Sequence, residues 1–449
     1  MAVFCIKQGK DIRLKGAAEK EIVAMPLPSK VAIQPSDFRG LKPRLCVKVD
    51  DVVKAGTPIL EDKVYSPIKI VSPVSGKVAA IHRGEKRFLL EIVIEADGRQ
   101  EAIVFPKFSK EEIRQLTKET VEDLLLESGL WPVIRQRPFS RLAHPEESPK
   151  SIFVHAMNTE PLALDVDFIL RGREAQFQAG LDILKKLTQG KIYLCAQEGA
   201  KSQALTEAQG VEIHYFSGPH PAGNAGTHIH YLDPVHKGDH VWYVEAQDVL
   251  RIASLFLEGV YPAERIVAVT GEGAAKRIYA KTIVGAPLSL LLAESRLEGM
   301  RCISGSILTG KDVGPGGYLR FYDSQVTVIP EGGQRKFLGW LSAGFDKYTF
   351  SKTFASSFLP QGEVSLTTDK HGSDRAIVLN SVYDRLVALD IMTYFLVKAV
   401  YGEDIEEMER LGILECDEED FALCTFACPS KTDVGAMIRQ GLDLIEREG

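Results

Sequence analysis

Seven cysteines have the widest chemical reach in this chain, at 5, 46, 195, 302, 416, 424 and 428. Converging thiolates hold metals and iron–sulfur clusters, and in oxidising compartments they pair as disulfides. An odd number, scattered over the whole length, predicts reduced thiols rather than a secreted disulfide framework. Cys424 and Cys428 stand closest together, in CTFACP, but a cubane cluster needs four thiolates. The histidines are grouped instead. Six of ten fall between 214 and 240: His214, His220, His228, His230, His236 and His240. On a strand, the alternating His228 and His230 would share a face, with Asp233 nearby. The spacing matches no zinc signature, so no metal is expected. The glycines of GPHPAGNAGTHIHYLDP suggest a loop bending closely against something. That makes His220, His228, His230 and Asp233 candidate docking residues, with a purely structural role as the alternative. Lys63, in EDK, reads as an ordinary surface lysine, with a modified lysine at an exposed hairpin tip as the alternative. GEGAAK at 271–276 is a lone Gly-x-Gly without the full dinucleotide fingerprint. No Gly-x-Ser-x-Gly elbow supports a serine nucleophile.

The elements that must position these groups follow from composition and periodicity. The chain has 449 residues, 54 Lys plus Arg, 61 Asp plus Glu and a formal net charge of −7. At roughly 100–200 residues per domain this length predicts about three domains. The charge balance excludes a general nucleic-acid binder. Spanning a bilayer takes about 20 mostly apolar residues. Here the best stretches, 283–293 and 387–400, are broken by Pro287 and by Asp390 and Lys398. The N-terminus is charged from Lys7 and does not read as a signal peptide. Work at a membrane would go through partners.

Residues 46–53, 77–81 and 89–94 are short, Val- and Ile-rich and bounded by Gly and Pro, which predicts a compact β module. Ser109 with Glu112 makes a capping box, and Ile113, Leu116, Val121, Leu124 and Leu125 give a helical stripe ending at Gly129. Strands at 151–155, 191–196, 211–216 and 265–269 alternate with helices at 177–187 and 246–257, the pattern of a three-layer α/β domain. Residues 270–350 look β-rich, with a strand at 325–329. Helices are expected at 385–400 and from Asp433 onward.

Several segments carry resemblances. KAGTPILEDKV followed by SPVSGKVAAIHRG resembles the biotinyl/lipoyl module. ESGLWPVIRQRPFSR at 127–141 falls where the flavin-binding subunits of respiratory complex I, and the related Rnf-type C subunits, carry a loop close to G-x-G-G-A-x-F-P. Gly129 remains, but Trp131, Pro132, Val133 and Ile134 occupy the later positions. Bulky side chains fill the space of a flavin phosphate, and Pro132 removes an N–H donor. MNTEP resembles the N-x-x-E-P segment lining that pocket, which makes Glu160 a remnant. Laying CTFACP on the ferredoxin-like C-x-x-C-x-x-C-x-x-x-C-P places Cys428 and Cys424 on the last two ligands, and Phe421 and Glu418 on the first two. The expectation is that neither flavin nor cluster is held.

Taken together, SGKVAAIHRGEKR, SGLWPVIRQRPF, GTHIHYLDP, CISGSILTG and DEEDFALCTFACPSK resemble, over essentially the whole chain, the NqrA family of bacterial Na+-translocating NADH:quinone reductases. The resemblance implies a multidomain α+β and α/β fold. Its parts would be an N-terminal segment (1–40), a lipoyl-like β-barrel (41–105), a Rossmann-like α/β domain (106–255), an SLBB-like β-grasp domain (256–350) and a helical C-terminal domain with a degenerate ferredoxin-like segment (351–449). It also implies a peripheral subunit on the cytoplasmic face of the inner membrane, held by integral partners in a six-subunit complex. NADH, flavins and an iron–sulfur centre would belong to other subunits, electrons would reach ubiquinone, and Na+ would move outward. This chain would bind no cofactor, would be inactive alone, and would serve as scaffold or lie near ubiquinone, with Trp131 and the 220–233 stretch as candidate contacts. The alternatives are an Rnf-type electron-input subunit that binds flavin and NADH itself, and a lipoyl or biotin carrier.

Overall fold

Short β-branched runs between Gly and Pro turns build the first unit, as their composition demands. In the computed structural model, which describes residues 2–333, 337–345, 347–360 and 362–448, they form two small sheets. Lys30–Ile33, Leu89–Ala96, Gly76–Arg83 and Val52–Val53 make one, and Pro43–Leu45, Pro58–Asp62 and Lys69–Val71 the other. Val31, Ile59, Val78 and Ile92 are fully buried in their core. The expected strand at 46–53 reduces to Val52–Val53. Residues 48–51 turn instead, and the Asp51 carboxylate accepts from Lys48 N at 2.9 Å.

The capping box at Ser109 forms, but the stripe after it is two helices, Lys110–Ile113 and Lys118–Glu127. Thr117 caps the second by accepting from Thr120 N, so a local side-chain bond overrides the continuous apolar spacing. These helices lead into a seven-stranded sheet. Its order is Val3–Cys5, Glu212–Ser217, Lys191–Gln197, Ser151–Ala156, Val241–Glu245, Arg135–Arg137 and Arg141–Leu142. The first five strands are parallel, and the inner ones, Lys191–Gln197, Ser151–Ala156 and Val241–Glu245, are buried, with Glu174–Leu184 and Ala246–Glu258 packed together against them. From Ser151–Ala156 the chain steps outward twice in one direction, then returns to place Val241–Glu245 on the other side. That reversal is a topological switch point, where open α/β sheets leave a crevice at the strands' carboxyl ends.

A six-stranded mixed sheet follows, in the order Lys311–Asp312, Met300–Ser304, Gln325–Pro330, Glu264–Thr270, Tyr279–Ile283 and Ile22–Ala24. The tail packs Thr393–Tyr401, Ile405–Arg410, Ala422–Ala427 and Val434–Glu448 around Tyr383, Leu396, Met408, Phe421 and Leu442. The helix expected at 385–400 starts only at Thr393. Leu386, Val387, Ala388 and Leu389 are all buried in succession, which a helix with one solvent face cannot do. Residues 2–24 thread through the whole assembly. Val3–Cys5 edges the seven-stranded sheet, Gly9 N donates to Arg385 O, Leu14 bridges Val364, and Ile22–Ala24 edges the six-stranded sheet. No helix among the described residues is long and apolar enough to cross a membrane.

Candidate functional site

At the switch point the sheet delivers His155 and Glu245, from the carboxyl ends of two neighbouring parallel strands. His155 is buried, and its Nδ1 lies 2.9 Å from Glu245 Oε2. Its Nε2 bonds to the Gly223 carbonyl oxygen. Both partners are acceptors, so both ring nitrogens carry protons and the ring is an imidazolium. Burial works against that charge, but Glu245 outweighs it and raises the histidine to about 9. Arg135 completes the group. It bonds to Glu245 at 3.3 Å and lies between the rings of Tyr243 and Tyr322, 4.5 and 4.7 Å from their centroids. These side chains face a cleft of about 490 Å³, closed on its other sides by Asp37, Glu160, Tyr322 and the tail box at 417–419.

That box is Asp417-Glu418-Glu419-Asp420. It caps itself, with Asp420 Oδ2 accepting from Asp417 N at 3.0 Å. Its carboxylates then meet arginines from three directions. The buried Arg137 reaches Glu419 at 2.8 Å, Asp417 at 3.4 Å and Asp420 at 3.6 Å. Arg39 reaches Glu418 at 2.7 Å, and Arg439 reaches Asp417 at 3.4 Å. Ser140 and Asn224 donate to Asp417 and Asp420. Burial opposes the charge on Asp417, but Arg137, Arg39 and Arg439 together hold it well below the usual carboxylate range. The box fastens the tail to the sheet and forms one wall of the cleft.

The electron-input subunits that the 127–141 and CTFACP segments resemble hold a flavin and a cluster, and the residues present here fit neither. Gly129 keeps a left-handed φ of +70°, but a Cβ there would meet Val71 of the small barrel at 2.3 Å. Trp131, Pro132 and Val133 form a buried 3-10 turn. The indole of Trp131 packs edge-on against Trp242 at 5.5 Å and donates to Ala143 O at 2.7 Å. Tyr322 Oη donates to Pro132 O at 2.7 Å. A phosphate cradle needs free N–H groups and open space, and this loop has become core. In the tail, Phe421 is buried and Glu418 is taken up by Arg39. Cys424 and Cys428 pack beside Tyr383, whose hydroxyl lies 2.9 Å from Cys428 Sγ. Burial pushes the thiols of Cys424 and Cys416 up, away from the thiolate a cluster requires. Among the described residues no three His, Cys, Asp or Glu side chains converge on a metal-sized site.

The candidate docking residues are largely consumed inside the protein. The 220–233 stretch is mostly a helix, Ala225–Leu232, and not the expected loop, so His228 and His230 do not alternate across a strand. The glycines serve close packing: a Cβ at Gly226 would meet Asp420 at 2.5 Å. His220 and His228 are buried, the first 3.1 Å from Thr159 Oγ1 and the second 3.1 Å from Ala222 O. His230 binds Glu415 at 2.6 Å, and Asp233 holds Lys150 and Ser151. Trp131 is core and presents no docking face. Glu160 accepts from Ser306 and Thr309 at 2.7 and 2.5 Å, joining the α/β unit to the six-stranded sheet. Lys63 lies exposed at the turn between Pro58–Asp62 and Lys69–Val71. Sequence reasoning missed His155, Glu245, Arg135, Arg137 and Arg39. The available signal was a histidine at the end of the apolar run SIFVH, one residue before MNTEP, and the four successive acids of DEED.

A small two-sheet β unit, an open α/β sheet with a switch point, a six-stranded mixed sheet and a helical tail define a multidomain α/β protein. Comparison with known proteins agrees. Family models described as "NqrA N-terminal barrel-sandwich hybrid domain", "NqrA second alpha/beta domain" and "NQRA C-terminal domain" match residues 4–97, 116–261 and 266–314. The NqrA subunit of the Na+-translocating NADH-quinone reductase of Pasteurella multocida is 40% identical over 449 residues, covering 100% of both chains. That of Tolumonas auensis is 41% identical over the same span, and that of Neisseria meningitidis serogroup A is 39% identical over 446 residues, 99% of each chain. The chain belongs to the NqrA family of the Na+-translocating NADH-quinone reductases. A solved NAD+-reducing NiFe hydrogenase aligns with 49% of this chain and 47% of its own, at 16% identity and a TM-score of 0.33.

Proposed function

We propose that this chain is the cofactor-free peripheral subunit of a bacterial Na+-translocating NADH:ubiquinone oxidoreductase. It sits on the cytoplasmic face of the inner membrane, held there by integral subunits of a six-subunit complex. Flavins and an iron–sulfur centre in those subunits carry electrons from NADH to ubiquinone while Na+ moves outward. This chain is a scaffold with units close to the boundaries at 40, 105, 255 and 350, its tail fastened to Arg39 and the α/β unit by the carboxylate box. What carries this reading is the filling of the 129–134 loop by Trp131 and its neighbours, together with the loss of two thiolates to Glu418 and Phe421. The switch-point cleft is lined by paired charges, whereas a quinone ring favours apolar walls. Any ubiquinone contact is therefore placed at a surface shared with a partner. Lys63 is read as unmodified.

Copurification from membranes through a tag on this chain tests the proposal. Flavin-bearing subunits should come with it, while the chain expressed alone should show neither flavin absorbance nor iron. Stoichiometric FMN and iron in the isolated chain would favour an Rnf-type electron-input subunit instead, and added mass on the Lys63 peptide would favour a carrier.

A further inference from the structure

Large apolar side chains left in water are concentrated in one part of the molecule. Twenty are exposed among the described residues, and eleven of them fall between 337 and 401. Within that stretch Phe337, Leu338, Leu341, Phe345, Phe358 and Leu359 lie close in sequence, with Phe337 93% and Phe358 90% exposed. Isolated exposed apolar groups are ordinary, but a dense group marks an interaction surface.

We propose that these six side chains form the face on which another subunit of the complex docks, through an apolar segment of its own flanked by carboxylates. The proposal rests on the subunit reading above. Three observations carry it. First, the segment is held in place without being buried. Tyr348 packs 5.8 Å from the Phe426 ring and Phe350 packs against the tail core, so two aromatics anchor inward while the six point away. Second, the described backbone is irregular. The described residues of 337–360 contain no strand and no α-helix, only the 3-10 turns Gly339–Leu341 and Ala355–Phe358. Their backbone bonds are local, such as Leu341 N to Leu338 O and Leu359 N to Ser356 O, with Ala355 N to Ala343 O closing the loop. Third, the local charge is inverted. Residues 335–360 carry Arg335, Lys336, Lys347 and Lys352 against the single Asp346, in a chain whose net charge is −7.

The second observation separates a protein from a lipid occupant. Irregular backbone such as this is not tolerated against hydrocarbon, which offers no partners to its N–H and C=O groups. A partner chain can pair with them. Permanent complexes use large apolar interfaces, which suits the six side chains, and the local positive charge calls for acidic groups opposite.

The test uses the assembled complex. A photoreactive phenylalanine analogue is placed at Phe337 or Phe358, and separately both residues are changed to serine. Crosslinks are expected to map to another identified subunit of the complex, on an apolar stretch beside Asp or Glu. The double variant should recover at least tenfold less of the complex while the isolated chain keeps its Tm. Lys352→Glu should lower recovery severalfold at low salt. Crosslinks confined to lipid or to a second copy of this chain would overturn the proposal, as would full recovery of the complex with the double variant. A wild-type chain that brings no other subunit would overturn the subunit reading as well; normal wild-type assembly with unaffected variants would overturn the docking face alone.

Discussion

The loop at 129–134 and the tail at 416–428 stand where the resembling electron-input subunits hold flavin and cluster, and they are filled by different physics. The loop is packed solid with apolar bulk: Trp131 on Trp242, Val133 and Ile134 buried, Gly129 against Val71. The tail is apolar only on its inner side, around Tyr383 and Phe421. Its outer side is a lattice of carboxylates and guanidinium groups. Dispersion and hydrophobic burial do not respond to pH or salt in the ordinary range, whereas paired charges do. One closure should therefore be rigid under all mild conditions and the other conditional.

Four experiments would break or sharpen that contrast. Trp131→Ala should cost about 5 kcal/mol in urea unfolding, because it leaves a large cavity and strands the Ala143 carbonyl. A cost under about 1 kcal/mol would mean that the loop is not a true core. Arg137→Met should cost about 4 kcal/mol, since the Asp417 carboxylate loses a buried counter-charge and Glu419 and Asp420, which burial pushes up, lose their guanidinium partner. Unlike the tryptophan variant it should recover part of that loss at mildly acidic pH, where the carboxylates take up protons. Equal losses across pH would contradict the electrostatic account. His155 gives a third measure. Its folded value of about 9 is above the ordinary 6.5, so the stability it contributes is complete below about pH 6.5 and is lost as pH rises through 9. The amount is on the order of 3 kcal/mol. Stability of the wild type should fall over that window and His155→Gln should flatten the fall; identical slopes would remove Glu245 as the cause. The smallest effect is expected of Tyr383→Phe, about 1 kcal/mol for the lost contact with Cys428.

How much of this was readable from the residues varies by kind of interaction. The switch between β and α periodicity marked the small barrel and the α/β unit, because one face of each element meets the core and repeats at a fixed spacing. The capping box at Ser109 was visible for the same reason: its partners are three residues apart. Leu386–Leu389 misled because a fully buried run has no solvent side to reveal its period. The site was harder. That the loop of Trp131 could not cradle a phosphate was legible in its side-chain volume. That DEED would grip Arg39, Arg137 and Arg439 was not, since the partners come from 378, 280 and 22 residues away. The histidines drew attention through their number, yet the one that matters closes a strand elsewhere, next to a glutamate 90 residues distant.

The path of residues 2–24 sets the order in which this protein can be made. Val3–Cys5 waits for Glu212–Ser217, Ile22–Ala24 for Tyr279–Ile283, and Gly9 and Leu14 for Arg385 and Val364. Val3–Cys5 therefore stays unpaired until its partner strand is synthesised about 210 residues later, and Gly9 and Leu14 wait for partners roughly 350 to 380 residues on. Such distant closures slow folding and keep adhesive edges uncovered in the meantime. A nascent chain of this design has reason to need a chaperone over this stretch.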